Sequence, residues 1–413
     1  MRNRRTTWLI SVVLGGAFLG RVLQSGIAEA QVPKEIVIGA SIPKGGVLAA
    51  FGTYEEWGYK TAVNEFNKAG GLRLSKFNTK VPVRLVLYDD ESRPEKVTQN
   101  TERLILRNGA HALLGSATPP LVLSGAAVAE REGVPMVTGI APIRAFLGAR
   151  EKWTWIWDIF FDELDMTQQQ FLTMNTVKSN RRVALFTDNE QDGVVMGRLW
   201  NENAPKFDYK IVHHARFPVG TTEYGDLIRR AQQAGAEIII AQMITPDSIA
   251  LWRQMQSLNY RPKAVFFEKG AEPVEWWSAL GKPAEGVMVA GYWHPNLGYP
   301  GAADLRKRFE QETKATYSQH IADTYAAAQV LLDAIERAGT LERRVVNDAI
   351  GKTEKTYVVG PVNFAKGPAG RTSPLKTFML QWQNGDLQIV YPQKQATAKL
   401  IFPLPPWSEV KGK

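Results

Sequence analysis

The sequence predicts an α/β protein made of two doubly wound lobes, and two observations lead to this fold class. First, short runs of β-branched and aromatic residues alternate strictly with longer segments of helical spacing, which predicts parallel strands covered by helices on both faces. Second, the alternation occupies residues 35–138, stops, and begins again over 153–267. No short repeat of fixed period runs through the chain, which excludes a solenoid.

The first run predicts one complete lobe. Its strands are expected over 35–41, 81–88, 112–115 and 135–138, and its helices over 49–69, 94–107 and 120–132. Gly70 and Gly133 directly follow two of these helices, where a residue that tolerates a left-handed backbone favours helix termination. Pro94 stands in a first turn, where its missing N–H group has no intrahelical partner to lose.

The second run repeats the same rhythm. Its strands are expected over 153–157, 182–187, 210–214, 237–241 and 263–267, and its helices over 163–178, 193–203, 222–234 and 245–258. Gly235 follows the third of these helices in the way that Gly133 does in the first run. The sequence therefore predicts a second lobe of the same architecture.

The last third returns to both lobes instead of building a third. Long helices are expected over 301–317 and 321–338, and short strands over 362–364, 378–382 and 387–391. If the helices pack on the first sheet and the strands join the second, the chain crosses between lobes near 153–158, 289–293 and 358–361. Such crossings predict a hinge of three strands beside a ligand cleft. The expected boundaries are 31–153 with 291–358 for lobe 1, 158–288 with 360–392 for lobe 2, and 393–413 for a tail.

The amino terminus has the three-part layout of a secretory signal. Basic residues open the chain, an apolar run follows over 8–19, and Ala28-Glu29-Ala30 matches a cleavage site. The apolar run is short for a bilayer, which needs about 20 residues. We therefore expect residues 1–30 to be a signal peptide, with an uncleaved anchor as the alternative and with both the general and the twin-arginine export routes open.

Composition excludes several classes of function. The chain of 413 residues has no cysteine, which removes thiolate nucleophiles, cysteine zinc sites and a lipid-attachment cysteine. Its net charge of +9 is scattered, without the basic run that nucleic-acid binding requires. None of its five histidines has a metal-ligand spacing, and there is no nucleophile elbow, phosphate loop or dinucleotide fingerprint. We therefore expect neither an enzyme nor a cofactor.

Several segments, taken in order, resemble the type I periplasmic binding proteins, and more narrowly the branched-chain amino acid and amide binding proteins of ABC importers. These segments are EIVIGASIP at 35–43, LAAFG at 48–52, AVNEFNKAGG at 62–71, VLYDD at 86–90, AEREGVPMV at 129–137, AEG at 284–286, YAAAQV at 325–330 and GPVNF at 360–364. The resemblance implies a monomeric receptor in the periplasm with two Rossmann-like lobes. Such a receptor captures a small amino acid, amide or aromatic carboxylate and delivers it to a membrane permease.

The resemblance also implies where the ligand lies in the first lobe. One contact loop follows the third strand and contains Ser116, Ala117 and Thr118; a second follows the fourth strand and contains Ile140 and Ala141. Hydroxyl groups and the amide groups that open a helix are suited to a carboxylate. Alternatively, Ser116 and Thr118 could serve only as caps of that helix and not contact a ligand.

Two features of these loops differ from the resembled family. Relatives that bind α-amino acids place small hydroxyl residues in both loops, whereas this chain has Pro119-Pro120 in the first and Ile140 and Pro142 in the second. The departure argues against a leucine-like α-amino acid as the ligand.

The remaining walls of the cleft are expected from both lobes. Phe51 matches a family aromatic that packs over the ligand, with a role in the core as the alternative. The second-lobe candidates are Asp158, Asp192, Met243, Ile244, Glu268 and Lys269. Glu268 would accept hydrogen bonds from an ammonium or amide group, and Lys269 would pair with a carboxylate.

Two rival functions stay open at this stage. A ligand-sensing module for a signalling partner uses the same fold. A hydrolase would use Asp89, Asp90 or Glu268, although a turn-forming role explains the Asp89-Asp90-Glu91 run more simply than a metal or catalytic site. Tryptophans near the expected cleft or hinge would indicate a flat ligand if several of them line the cleft. These are Trp57, Trp155, Trp157 and Trp293.

Overall fold

The computed structural model describes residues 31–410, and the expected signal peptide therefore lies outside the described residues. The strands are β1 (Ile36–Ile42), β2 (Leu72–Leu74), β3 (Thr79–Val81), β4 (Val83–Asp89), β5 (Ala112–Leu114), β6 (Met136–Thr138), β7 (Ile156–Asp158), β8 (Arg182–Asp188), β9 (Lys210–Phe217), β10 (Ile238–Gln242), β11 (Ala264–Phe267), β12 (Met288–Gly291), β13 (Glu354–Tyr357), β14 (Gly360–Asn363), β15 (Phe378–Gln383) and β16 (Asp386–Tyr391). The helices are α1 (Ala49–Lys68), α2 (Pro94–Leu106), α3 (Thr118–Glu132), α4 (Ile143–Gly148), α5 (Glu163–Met174), α6 (Gln191–Asn203), α7 (Gly225–Gln233), α8 (Thr245–Ser257), α9 (Glu275–Leu280), α10 (Ala302–Thr313), α11 (His320–Ala338) and α12 (Arg343–Gly351). Across the described range, the search for a helix with the length and apolarity of a bilayer span finds none.

Two separate sheets carry the two predicted lobes. The first has the order β4-β1-β5-β6-β7, with parallel pairing throughout. The second has the order β16-β15-β12-β11-β10-β8-β9, parallel from β12 to β9 and antiparallel at the β15 and β16 edge. The doubly wound α/β architecture with two lobes is therefore confirmed.

The central strands show why the alternating pattern was readable. Every residue of β1 is buried, as is every residue of β10. A parallel strand between two helical layers needs apolar side chains on both faces, so such strands appear in the sequence as continuous Ile, Val and Ala runs. This is why the predicted strand bounds lie within a few residues of the observed ones.

Helix α11 belongs to the first lobe because it packs along α1. Gly58 of α1 lies at the closest approach, where an added Cβ would meet the Thr324 hydroxyl at 2.2 Å and the Tyr325 amide nitrogen at 2.9 Å. The Thr324 hydroxyl in turn hydrogen-bonds the His320 carbonyl at 2.6 Å. The absence of a side chain at position 58 thus sets how α11, with His320 at its start, is seated on the lobe.

Gly58→Ala should destabilise the protein by about 1–3 kcal/mol, because the new methyl group has to displace packed atoms of α11. Helix propensity alone would give the opposite sign, since alanine is favoured over glycine in a helix by about 1 kcal/mol. Chemical unfolding of both proteins measures the difference. Gly148→Ala is the matched control, because no atom lies within 4 Å of the added carbon there. Equal or greater stability of Gly58→Ala would contradict the close packing.

The third crossing of the chain lies later than the sequence indicated. The strand expected at 362–364 does not join the second sheet, because β14 pairs with β13 in a two-stranded hairpin. Residues 371–375 make the crossing instead, parallel to 158–161: the Ser373 amide donates to the Asp158 carbonyl at 2.8 Å, and the Leu375 amide to the Phe160 carbonyl at 2.9 Å. The expectation for 358–361 was therefore wrong, because a Gly-Pro pair forms a hairpin end here.

The carboxyl-terminal segment packs on the second lobe. The Leu404 amide donates to the Lys263 carbonyl at 2.9 Å, and the Trp407 ring lies edge-on to Trp252 at 5.0 Å between centroids. Arg261 covers the Trp407 face at 3.9 Å. Residues 393–410, expected as a tail, are thus anchored to the second lobe by aromatic packing.

Candidate ligand-binding site

A half-open pocket lies where loops of the two lobes meet the crossing strands, and the space between its atoms, with the solvent at its mouth, is about 280 Å³. It lies at the carboxyl ends of the parallel strands, where open α/β sheets place their ligands. Its lining residues are Phe51, Thr118, Pro119, Ile140, Pro142, Phe160, Phe161, Asp192, Gln242, Glu268, Lys269, Glu272 and His320.

The structure brings half of the sequence-predicted site residues to this cavity. Those that line it are Phe51, Thr118, Ile140, Asp192, Glu268 and Lys269. They come from loops after β1, β5, β6, β8 and β11, far apart in sequence but adjacent at the sheet edges. Each lies in a loop or first helical turn after a strand, which is the property that the sequence analysis used.

The other predicted residues are placed elsewhere. Ser116 donates to the Asp90 carboxylate at 2.9 Å and lines a separate space beside the sheet. Ala117, at the N-cap of α3, and Ala141 are fully buried, while Met243 and Ile244 lie in the packed core.

Asp158 ends β7 with a fully buried carboxylate that has no hydrogen-bond partner within residues 31–410. Burial, reinforced by the Glu163 charge, raises the pKa of Asp158 well above its usual value, which favours the neutral acid. Its backbone, rather than its side chain, holds the crossing segment at 371–373.

The Asp89-Asp90 pair, one basis of the hydrolase alternative, fixes a turn. The Asp89 carboxylate accepts hydrogen bonds from the amides of Lys44, Gly45 and Glu91. Asp90 accepts one from the Ser92 amide as well as the one from Ser116. These contacts bind the β1–α1 loop to the end of β4. Both carboxylates therefore stabilise the turn, and neither lines the cavity.

Sequence reasoning missed several lining residues, and the aromatic wall is one example. Phe160 and Phe161 follow β7 in a crossing strand, with ring centroids 4.6 Å apart, and Phe160 lies 4.7 Å from Tyr292. Phe51 faces them from α1, 4.9 Å from the His320 ring. The wall is built from phenylalanine and not from the four tryptophans considered above, none of which lines the cavity. Adjacent phenylalanines just after a hinge aspartate were the available signal.

The polar end of the cavity centres on Lys269. Its ammonium nitrogen lies 2.7 Å from Glu190 Oε2 and 3.1 Å from Asp192 Oδ2, and Asp188 completes a cluster whose carboxylate oxygens lie within 4.8 Å of one another. Burial opposes the charged form of Lys269, but the surrounding carboxylates outweigh burial and raise its pKa. Burial raises the pKa of Asp188 to about 8, against the opposing effect of Lys269. The three acids thus enclose a cation that the chain itself supplies.

His320 forms a second buried polar cluster that joins the lobes. Its Nε2 lies 2.9 Å from Glu272 Oε2 in the second lobe, and its Nδ1 lies 2.9 Å from Asp323 Oδ2 in the first. The Tyr292 hydroxyl is 2.7 Å from Nδ1. Burial raises the pKa of Glu272 to about 8, although the hydrogen bond from His320 opposes this change. No local pattern around His320 or Glu272 marks them, because their contact spans 48 positions.

Hydrogen-bond acceptors outnumber free donors in this cavity. Glu272 Oε1 and Gln242 Oε1 are buried and have no partner within the described residues. The amide nitrogen of Gln242 donates to Asp192 Oδ2 at 2.5 Å, which leaves its oxygen as the free atom. Glu268 adds a carboxylate whose pKa is raised by burial and then by the Asp192 charge. The hydroxyl of Thr118, which also lines the cavity, has no partner within the described residues.

Comparisons with known proteins agree with the two-lobed fold. A family model described as periplasmic binding protein matches residues 35–386. A Leu/Ile/Val-binding protein homologue of Brucella abortus is 23% identical, covering 95% of this chain and 99% of the relative. The crystal structure of a leucine-binding protein from Thermotoga maritima is 23% identical and superposes with a TM-score of 0.75 over 86% of this chain and 97% of the other. A solute-binding protein from R. palustris, solved with benzoate, gives 0.73 at 15% identity over 89% and 98% of the two chains.

Proposed function

The chain belongs to the family of periplasmic binding proteins, and we propose that it is the exported solute-binding subunit of an ABC importer. It captures a small molecule between its lobes and presents it to a membrane permease, without chemical change to the ligand. The observation that carries the proposal is a half-open pocket lined from both lobes and the crossing strands. The periplasm is the expected compartment, consistent with the family and with the leader-like first thirty residues.

Closure of the lobes is the proposed mode of capture. The lobes already touch at several points around the cavity: Gln191 donates to the Ala145 carbonyl at 2.9 Å, and Glu163 accepts from the Arg144 and Ala145 amides at 2.7 and 2.8 Å. We expect these contacts to break when the lobes separate. A ligand that contacts both lobes therefore shifts the population towards the closed form, which a permease can distinguish from the open one.

The ligand classes proposed on these grounds are an amino acid, an amide or an aromatic carboxylate. The relatives supply them, since one is named for leucine, isoleucine and valine and another was solved with benzoate. The phenylalanine wall suits an apolar or aromatic body, and the Glu268–Glu272 side suits a polar end.

A ligand screen by thermal unfolding tests the proposal directly. The exported protein is heated with amino acids, amides, aromatic carboxylates and amines. A ligand present at 100 times its dissociation constant should stabilise the folded state by about 2.7 kcal/mol, which raises the melting temperature measurably. If no compound of any class shifts the melting temperature, the binding function as stated is wrong.

Tyr54→Phe should weaken the best ligand about fivefold, because it removes a hydrogen bond between the lobes that would help to hold them closed. The Tyr54 hydroxyl of α1 accepts from the Val274 amide of the second lobe at 3.3 Å. Calorimetric titration measures the change. Tyr88→Phe is the control, since it deletes a hydroxyl bonded to Asn108 within the first lobe. Equal affinities of the Tyr54→Phe and wild-type proteins would show that this contact does not contribute to closure.

A further inference from the structure

The basic side chains that line the cavity already have acidic partners within the protein. Lys269 lies between Glu190 and Asp192 with Asp188 beside them, and His320 lies between Glu272 and Asp323. A ligand carboxylate would have to displace one of these buried partners. A displaced carboxylate without a partner is costly in a buried site, so the arrangement opposes an anionic ligand.

The start of helix α3 is a poor carboxylate site in this chain. A helix N-terminus binds anions through its first free amide groups. Here α3 begins at Thr118 and continues with Pro119 and Pro120, which have no N–H group to donate. The amides that a ligand carboxylate would use at these two positions are therefore missing from this cavity.

The polar atoms of the cavity that have no partner are mainly acceptors, so a ligand would have to bring hydrogen-bond donors. Glu272 is 3% exposed and Gln242 is 1% exposed, and each has an oxygen with no partner within residues 31–410. Glu268, 3% exposed, lines the same side. Buried acceptors without a donor cost free energy, and a ligand that brings N–H groups removes that cost.

Charge and aromatic packing favour the same kind of ligand. Asp192, Glu268 and Glu272 line the cavity against only Lys269 and His320, and both of these have additional acidic partners outside the lining. Burial raises the pKa of Glu268 and Glu272, and a cation bound beside them would stabilise their ionised forms through charge-assisted hydrogen bonds. Phe51, Phe160 and Phe161 also line the cavity, and phenylalanine rings attract cations to their faces and pack against apolar groups.

We propose that the ligand is a small organic cation, an amine with an apolar or aromatic body and no carboxylate, whose N–H groups donate to Glu268, Glu272 and Gln242. This inference rests on the proposed binding function and selects the ligand class within it. It differs from the amino acids and aromatic carboxylates named for the relatives, because the chain supplies acceptors where a carboxylate would need donors.

Three compounds that share a phenyl ring on a two-carbon chain distinguish the ligand classes: 2-phenylethylamine, L-phenylalanine and 3-phenylpropionate. Calorimetric titration at neutral pH should show the amine binding at least tenfold more tightly than the amino acid, and no measurable binding of the carboxylate. Straight-chain amines, the matching carboxylates and the branched-chain amino acids extend the series to other body shapes. If the tightest ligand in the whole series carries a carboxylate, the inference is overturned while the binding function stands. If nothing in the series binds, both fail.

Glu268→Gln tests the site itself, because it keeps the shape of the side chain and removes the charge. Amine affinity should fall about thirtyfold or more, as for one partner lost from a buried charge pair. Glu237→Gln is the matched control. Glu237 directly precedes β10 and pairs with Lys263, whereas the cavity residue Gln242 lies at the other end of that strand. Unchanged amine affinity in Glu268→Gln, with an unchanged or raised melting temperature that shows intact folding, would overturn the assignment.

Discussion

In the unliganded Glu55→Gln variant, the free energy of unfolding should fall much less steeply with rising pH than it does in the wild-type protein. Glu55 lies on α1 with a fully buried side chain, and neither of its carboxylate oxygens has a partner within the described residues. Burial, followed by the charges of Asp90 and Asp323, raises the pKa of Glu55 well above its usual value. The folded protein therefore holds a proton at Glu55 that the unfolded chain releases.

The sign of the pH effect follows from that difference. Below the pKa of Glu55 in the unfolded chain, both states are protonated and the group costs nothing. Above that pKa, only the unfolded state gains by ionising, so the free energy of unfolding falls by about 1.4 kcal/mol per pH unit until the folded pKa is reached. Asp90, Glu163 and Asp188 contribute slopes of the same sign, because burial raises the pKa of these carboxyls to about 6, 7 and 8.

Chemical unfolding at pH 5 and pH 8 measures this prediction. Glutamine cannot ionise, so the stability of Glu55→Gln relative to wild type should increase between these pH values by up to about 4 kcal/mol. Glu56→Gln is the control from the next residue on the helix. Burial slightly opposes ionisation there, but Lys60 and Lys44 outweigh it and lower the pKa of Glu56, so its contribution is lost only at acidic pH. Parallel pH profiles for Glu55→Gln and wild type would contradict a protonated Glu55.

Lys269→Met should destabilise the protein by about 3–5 kcal/mol at neutral pH, because it removes the cation from a buried acidic cluster. Methionine keeps the length and flexibility of the side chain, so the change is mainly one of charge. Without the ammonium group, Asp192 retains only the Gln242 amide and its own helix backbone as partners. Asp188 and Glu190 lose their counter-charge at the same time.

The penalty should also depend on pH. Without the ammonium group, folding would bury these carboxylates close together with no counter-charge, so the folded state should take up protons that the unfolded chain does not bind. The cost is therefore small at acidic pH and grows as the pH rises, so the difference between variant and wild type should be larger at pH 8 than at pH 5.

Lys366→Met provides the comparison with an exposed pair. Lys366 lies 3.4 Å from Glu354, with both side chains largely in solvent. Loss of that pair should change stability by no more than about 0.5 kcal/mol. Similar stabilities of Lys269→Met and Lys366→Met at pH 8 would show that Lys269 does not neutralise the cluster.

Much of the fold could be predicted because its determinants are local. Strands such as β1 and β10 must be apolar on both faces, and their helices end at glycines that adopt a left-handed backbone, such as Gly133 and Gly235. The strand expected at 362–364 was wrongly assigned to the second sheet, because a short strand carries no information about which sheet it joins. The crossing at 371–375 has a turn-rich, polar sequence, and only its pairing with 158–161 identifies it.

Only half of the predicted site residues line the cavity, because only local features of a site can be recognised in a sequence. Thr118, Asp192 and Glu268 follow strands at the carboxyl edge, a position that the strand pattern itself reveals. The sequence by itself thus determined the two lobes, their core strands and the loops that face the cleft. Tertiary structure alone decided that Glu272 meets His320 and that Lys269 is enclosed by Glu190 and Asp192, across 48, 79 and 77 positions. Such contacts depend on the distance between side chains after packing, and the free energy of a buried charge is set by those distances rather than by any pattern along the chain.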